Sequence, residues 1–256
     1  MQFNVNKNEA LLRLIVRAIQ KGIGEDIREF MRSNEMATYN SLRIMRSDKI
    51  NTNLLNSVAF GPVELKYFKR YGWTGTLLID RENLITITIC TERTLRSIPA
   101  KPDRNIPHYL QTILYVQNSK VKAAQMEMAD FIPEMEQMSW FTDDVYRDDY
   151  KRIMDDDISF DDGYTHYCIT YETERGEIKS IAMRLLDKNF QNAEVYSLNA
   201  FLQPDFGELT SEPEQPKKKD AHSLITVKAG IKSEDMFETP EEPAIAAKIL
   251  KEQRQA

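Results

Sequence analysis

Trp73-Thr74-Gly75-Thr76-Leu77-Leu78-Ile79-Asp80, then Arg81-Glu82-Asn83, then Leu84-Ile85-Thr86-Ile87-Thr88-Ile89-Cys90-Thr91 is the stretch that decides the fold. Ile85, Ile87 and Ile89 alternate with Thr86, Thr88 and Cys90, a period of two built from β-branched residues, and the polar Asp80–Asn83 run between the halves is a turn. The pair is therefore predicted to be a β-hairpin. Upstream, Val63, Leu65 and Tyr67 alternate with Glu64 and Lys66 and predict a preceding strand. Downstream, Tyr164 to Glu172 and Glu177 to Leu186 flank Glu174-Arg175-Gly176 and predict a second hairpin. His108 to Gln117, nearly all apolar after Gln111, is expected to be a central strand, and Val195 to Leu198 with Phe201-Leu202 is expected to dock back on the domain.

Helical periodicity appears elsewhere. Leu11, Leu12, Ile15, Val16, Ile19 and Ile23 share one helical face, Asn6 with Glu9 has capping-box spacing, and Gly22 with Gly24 marks the end. Short helices are expected from Glu25 to Arg32, from Tyr39 to Arg46 and from Asn51 to Val58. Thr91 to Ile98 predicts a short helix stopped by Pro99, and Val145, Tyr146, Tyr150, Ile153 and Met154 lie on one face of an amphipathic one. The expected fold is α+β: a mainly antiparallel sheet of about six strands, an N-terminal helical cap over about 6–58, and helical insertions. Residues 1–206 are expected to be a single domain. Beyond it, Pro213, Pro216 and Lys217-Lys218-Lys219 give linker composition, so 207–256 is expected to be a flexible, disordered acidic tail. Within the tail, Leu224 to Val227 and the segment from Thr239 are candidate partner-binding peptides.

At 256 residues, with 41% hydrophobic and 9% aromatic residues, the chain can bury a core, which excludes a wholly disordered protein. Its two cysteines, Cys90 and Cys168, cannot make a disulfide framework, and each is expected to be a reduced, half-buried strand residue, with one cross-link possible only if the strands are neighbours. The N-terminus carries no secretory pattern, and the longest nearly apolar stretch, Leu11 to Ile19, is broken by Arg13 and Arg17. A cytoplasmic location and no membrane partner are the expectation.

Charge is unevenly distributed. Residues 1–125 hold 19 basic and 11 acidic side chains, whereas 126–256 hold 15 and 29, with 13 acids between Met126 and Asp162. The halves can attract one another within the molecule, an explanation that needs no partner. The alternative is an anionic partner for the basic half. Lys66, Tyr67, Phe68, Lys69, Arg70, Tyr71 and Trp73 interleave cations with rings, as phosphate contacts beside stacking platforms require, and Arg96, Lys101 and Arg104 extend the series. Against this, strand alternation buries about every second ring. A helix-turn-helix unit carrying Arg43, Arg46 and Lys49 is a further candidate, its alternative being a helical cap with solvated arginines.

Catalytic patterns are poorly matched. A Mg²⁺-dependent nuclease needs converging carboxylates with a nearby lysine, and Asp161-Asp162 with Glu177-Ile178-Lys179 offers the residue types. Glu177 and Lys179 belong to the turn end of the second hairpin, however, and Asp162 to the far end, roughly 25 Å away at about 3.3 Å per residue. Asp157 to Cys168 fails as an EF-hand, with Asp162 where glycine is required and Cys168 where glutamate is required. His108, His166 and His222 are dispersed, and no phosphate-binding glycine loop or dinucleotide fingerprint occurs. No cofactor and no metal are expected.

The segments Ser47-Asp48-Lys49-Ile50-Asn51-Thr52-Asn53-Leu54, Leu77-Leu78-Ile79-Asp80, Pro107-His108-Tyr109-Leu110-Gln111 and Asp162-Gly163-Tyr164-Thr165-His166-Tyr167 resemble an uncharacterised family of Gram-positive bacterial and phage or mobile-element proteins, over about residues 8–210. The resemblance implies a mobile-element setting and brings no activity or catalytic residue with it. The reading that follows is a non-enzymatic interaction protein whose partner is nucleic acid or a nucleic-acid-associated protein. Lys66, Lys69, Arg70, Arg96 and Lys101 would neutralise phosphate while Tyr71 and Trp73 stack. The alternatives are a Mg²⁺-dependent nuclease and an acidic decoy that inhibits a DNA-processing protein through residues 126–162.

Overall fold

The structure, a computed structural model, describes residues 5, 7–58, 63–70, 72–99, 104–124 and 141–203. The chain divides into the units Met1–Glu208 and Leu209–Ala256, and the first holds every described residue. The sequence-predicted tail, with its two peptide segments, lies outside the described residues, as does Asn6.

Six strands form one sheet in the order β1 (Val63–Arg70), β2 (Trp73–Asp80), β3 (Ile85–Thr91), β4 (Thr165–Glu174), β5 (Glu177–Leu186) and β6 (Asn192–Ser197). Every neighbouring pair is antiparallel except β3 and β4, which run parallel. A parallel step demands a crossover, and the chain makes it through α4 (Glu92–Ser97), α5 (Tyr109–Gln117) and α6 (Asp143–Met154). Earlier in the chain, α1 (Glu9–Ile23), α2 (Glu25–Ser33) and α3 (Leu42–Val58) form the N-terminal helical part. The fold is thus α+β with a mostly antiparallel sheet.

Alternation along the strands sends neighbouring side chains to opposite faces and makes two cores. Leu78, Ile85, Ile87, Tyr167, Ile169, Ile181 and Met183 pack against α1 and α3. Leu77, Ile79, Cys90, Cys168 and Leu186 pack against α4, α5 and α6. The sheet is therefore the middle of three layers. α1 and α3 come together because Gly22 leaves room: a Cβ there would stand 2.8 Å from the Ile50 backbone nitrogen. Asn53 Nδ2, three residues further along α3, donates to the α1 carbonyl of Ala18 at 3.4 Å, so the two helices run antiparallel.

Three local expectations change. His108 to Gln117 is a helix: the Leu110 N–H donates to His108 Nδ1 and the His108 N–H donates to Gln111 Oε1, each at 3.3 Å, which caps α5. Tyr109 to Leu114 are all buried, so the helix has no polar face to reveal its period and imitates a central strand. β6 takes the sixth place in the sheet. The two segments expected at Tyr39–Arg46 and Asn51–Val58 are one helix, α3, with Ile50, Leu54 and Val58 buried at four-residue spacing. Finally, α1 begins at Glu9 after Asn8 with no side-chain cap, and Glu9 instead pairs with Arg13 at 2.7 Å.

Cys90 and Cys168 do lie on neighbouring strands. Both are buried free thiols with their Sγ atoms 3.5 Å apart, and Cys90 is pushed well above the usual thiol range by its bond to Cys168 and by burial. No described helix is long and apolar enough to cross a membrane.

Candidate nucleic-acid interface

Strand directions decide which charges meet. β1 ends and β2 begins at one end of the sheet, where β3 and β4 also end and β5 begins. Lys69, Arg70, Trp73 and, just past β3, Arg93 and Arg96 belong to that end. α3 adds to it from the other layer. Thr76 Oγ1 donates to Asn51 Oδ1 at 2.8 Å, which fixes Asn51 close to the start of β2. The nine residues of α3 before Asn51 rise about 13 Å, enough to pass the strand ends, and they include Arg43, Arg46 and Lys49. The opposite end holds the Asp80–Leu84 turn and the Asp155–Gly163 loop, with Glu82, Asp155, Asp156, Asp157, Asp161 and Asp162. The sheet is electrically polarised along its strands, although Glu174 and Glu177 form an acidic margin at the β4–β5 tip.

The expected residues are distributed as follows. Lys69 is exposed and has no ion-pair partner among the described residues. Arg96 is 78% exposed at its side chain and meets Glu92 one turn away at 3.3 Å, a contact that leaves most of its charge in water. Arg70 is largely buried: Nη2 lies 2.7 Å from Asp149 Oδ1 and 2.6 Å from the Pro107 carbonyl, while Nη1 has no hydrogen-bond partner. Thr112 of α5 donates to the other Asp149 oxygen, so that carboxylate is held from two elements. Lys66 sits away from the group and reaches Asp157 at 3.2 Å. Tyr71 and Lys101 lie outside the described residues.

Arg70, Lys66 and Arg81 each pair with an acid from the second half of the chain, so part of the charge asymmetry is answered internally. Arg81 bridges Glu64 at 2.8 Å and Asp157 at 2.9 Å and holds both carboxyls below the usual range. That pairing leaves a cationic strand end with Lys69, Arg93, the solvent-exposed Arg96 and the first half of α3.

Trp73 is the exposed ring of this end, at 42%. Arg70 and Trp73 face each other across the β1–β2 hairpin, and two residues inward, on the same face, Phe68 faces Gly75. Gly75 is essential to the arrangement: a Cβ there would fall 2.3 Å from Phe68 Cζ, so only glycine lets the phenyl ring lie across β2. Phe68 meets Trp73 at 5.8 Å and 78°, and Tyr109 meets Trp73 at 5.3 Å and 32°. His108 completes the row 4.4 Å from Tyr109. Burial and the cations Arg104 and Arg70 push its imidazole down to about 3, so it is neutral at physiological pH. Tyr109 and His108 were not legible as part of this site, because both fell on the segment read as a strand. The signal available was His108-x-x-Gln111, the capping pair.

The carboxylates and lysine considered for a nuclease do not converge. Among the described residues, no group of three or more His, Cys, Asp or Glu side chains is placed to hold a metal ion. Glu177 pairs with Glu174 at the tip of the β4–β5 hairpin, and Asp162 precedes the other end of β4.

Fold and site together define a three-layer α+β protein with an aromatic, cation-flanked strand end. The chain matches a family model over residues 4–247 and belongs to that family, described as "Family of unknown function (DUF5986)". No curated protein and no solved structure matches it.

Proposed function

We propose that the protein binds nucleic acid through the basic strand end and does so as an interaction protein without catalysis. The observation that carries this reading is that Lys69, Arg93, Arg96 and α3 Arg43 share the end of the sheet where Trp73 is exposed, while the carboxylates of the Asp155–Gly163 loop lie at the other end. Phosphates attract such a surface at long range, and ring faces hold the bases once they arrive. Lys69 and Arg96 contribute the most accessible charge. Arg70, largely buried and paired with Asp149, anchors the end of β1 beneath the surface and makes no contact of its own. Lys66 supports β1 through Asp157 and stands back from the contact.

The test is fluorescence anisotropy of labelled oligonucleotides across a salt series. Binding is expected to weaken with salt, the logarithmic slope counting about 0.9 per phosphate neutralised. The double variant Lys69→Glu, Arg96→Glu is expected to lose at least about tenfold in affinity and to flatten that slope. Both residues are exposed, so folding is preserved and circular dichroism verifies it. Salt-independent binding, or binding unaffected by the double reversal, removes the reading.

A further inference from the structure

We infer that the nucleic acid taken by this surface is single-stranded, with an unpaired base stacking on Trp73. The inference rests on the nucleic-acid reading above and adds the class of ligand to it.

The indole is held in one orientation before any ligand arrives. Phe68 stands at 78° to it, Tyr109 lies at 32° to it, and Gly75 lets Phe68 occupy that place. Tyr109 is in turn buried, at the first position of α5, so the support is part of the core. A ring that is fixed on its inner side and 42% exposed offers one face to solvent. That is the geometry of a stacking platform, because little side-chain freedom remains to be lost on binding. Arg70 stands opposite Trp73 in the hairpin register but is spent on Asp149, whereas exposed Lys69, opposite Thr74, carries its charge one residue away on the other face of the strand pair. A base on the indole therefore has its own phosphates within reach of positive charge.

Duplex nucleic acid does not satisfy this arrangement. Its bases are already stacked on both sides, and presenting one to Trp73 requires unpairing and unstacking it. The affinity gained by one base on one aromatic ring is no larger than that loss, so a paired strand gains nothing from the platform. An unpaired strand gains all of it. The chemistry is common to DNA and RNA, since every base has a ring face and every linkage a phosphate.

The chain has two tryptophans, Trp73 and Trp140, so the full-length Trp140→Phe variant leaves Trp73 as the sole indole reporter. Four probes are titrated into it at low salt: a mixed-sequence 16-nucleotide DNA, its RNA counterpart, the DNA duplexed with its complement, and a 16-unit abasic strand that keeps phosphates without bases. The expected result is quenching of indole emission by a single strand but not by duplex or abasic strand, with single-strand affinity about tenfold higher than duplex affinity. Quenching by DNA alone or by RNA alone supports the inference and identifies the source. Trp73→Leu, in the otherwise native chain, is expected to erase the tenfold preference in anisotropy; the quenching measurement needs no change at Trp73 and stands even if that variant misfolds. Equal affinity for duplex and single strand, or single-strand binding without quenching, overturns the inference and leaves the nucleic-acid reading standing. Failure of all four probes to bind overturns both.

Discussion

Lowering the pH from 7 to 4.5 should destabilise the protein, and the share due to one side chain, His166, can be isolated. The imidazole is completely buried on β4, with Nδ1 2.8 Å from Thr86 Oγ1 and Nε2 2.9 Å from Thr88 Oγ1. A neutral imidazole has one donor and one acceptor, and two hydroxyls can answer both. An imidazolium would need two acceptors and would place a charge in the core. Burial accordingly pushes the group from its ordinary 6.5 down to about 3. The unfolded chain binds this proton below pH 6.5 and the folded chain does not, so the stability is fully present above 6.5 and is lost as pH falls towards 3. Over the two units from 6.5 to 4.5 the loss is about 2.7 kcal/mol, and about 5 kcal/mol is the ceiling below pH 3. The assay is urea denaturation at both pH values for the natural chain and for His166→Gln, whose amide can serve the two hydroxyls without titrating. The natural chain should lose about 2–3 kcal/mol more than the variant on acidification. Carboxylates and His108 are common to both proteins and cancel in the difference. Parallel pH dependences would refute the argument, because they would mean His166 takes up its proton in the fold as readily as out of it.

Other outcomes follow from particular contacts. Gly75→Val should expel the Phe68 ring, cost about 1–3 kcal/mol in thermal or urea unfolding, and broaden the emission of Trp73 as its support is lost. Gly22→Ala should cost a comparable amount, because its Cβ meets Ile50 backbone and α1 must move away from α3, which a melting curve would register. Asp149→Ala should be strongly destabilising, by about 3 kcal/mol, since it strands the largely buried Arg70 guanidinium; Asp149→Leu combined with Arg70→Met should recover most of the loss. Both thiols should resist a thiol-specific reagent in the native state and react together on unfolding, because Cys90 and Cys168 are buried out of the reagent's reach and Cys90 is further held as the unreactive thiol.

The sheet was legible wherever alternation was clean. Ile85, Ile87 and Ile89 against Thr86, Thr88 and Cys90 identify β3, and the Glu174–Gly176 turn divides β4 from β5 as expected. What alternation cannot give is pairing across a long gap, so the parallel contact of β3 with β4, and with it the proximity of the two cysteines, was out of reach. α5 failed for a physical reason: a helix buried on all sides carries no 3.6-residue signal. At the candidate site, Lys69, Arg70 and Trp73 were recognisable from their interleaving, whereas the internal partners of Arg70 and Lys66 come from α6 and the loop after it, about eighty or ninety residues away, and only the fold reveals them. Arg43, Arg46 and Lys49 were legible as helix-turn-helix candidates, but their place at this strand end depends on the single long α3 and only the fold reveals it.

The parallel seam between β3 and β4 has a consequence for how the molecule is made. Its two hydroxyl-to-imidazole bonds join residues 80 and 78 positions apart, whereas the β1–β2–β3 and β4–β5–β6 meanders close through short turns. Local pairings form quickly and distant ones wait on chain closure, so each meander should assemble by itself and the join should come last. On the ribosome that delay is fixed by synthesis: at roughly 5–20 residues per second, the edge of β3 stays unsatisfied for about 4–16 s until His166 emerges. During that interval the nascent first half exposes an open strand rich in isoleucine and threonine, which makes it the stage of biogenesis most vulnerable to aggregation.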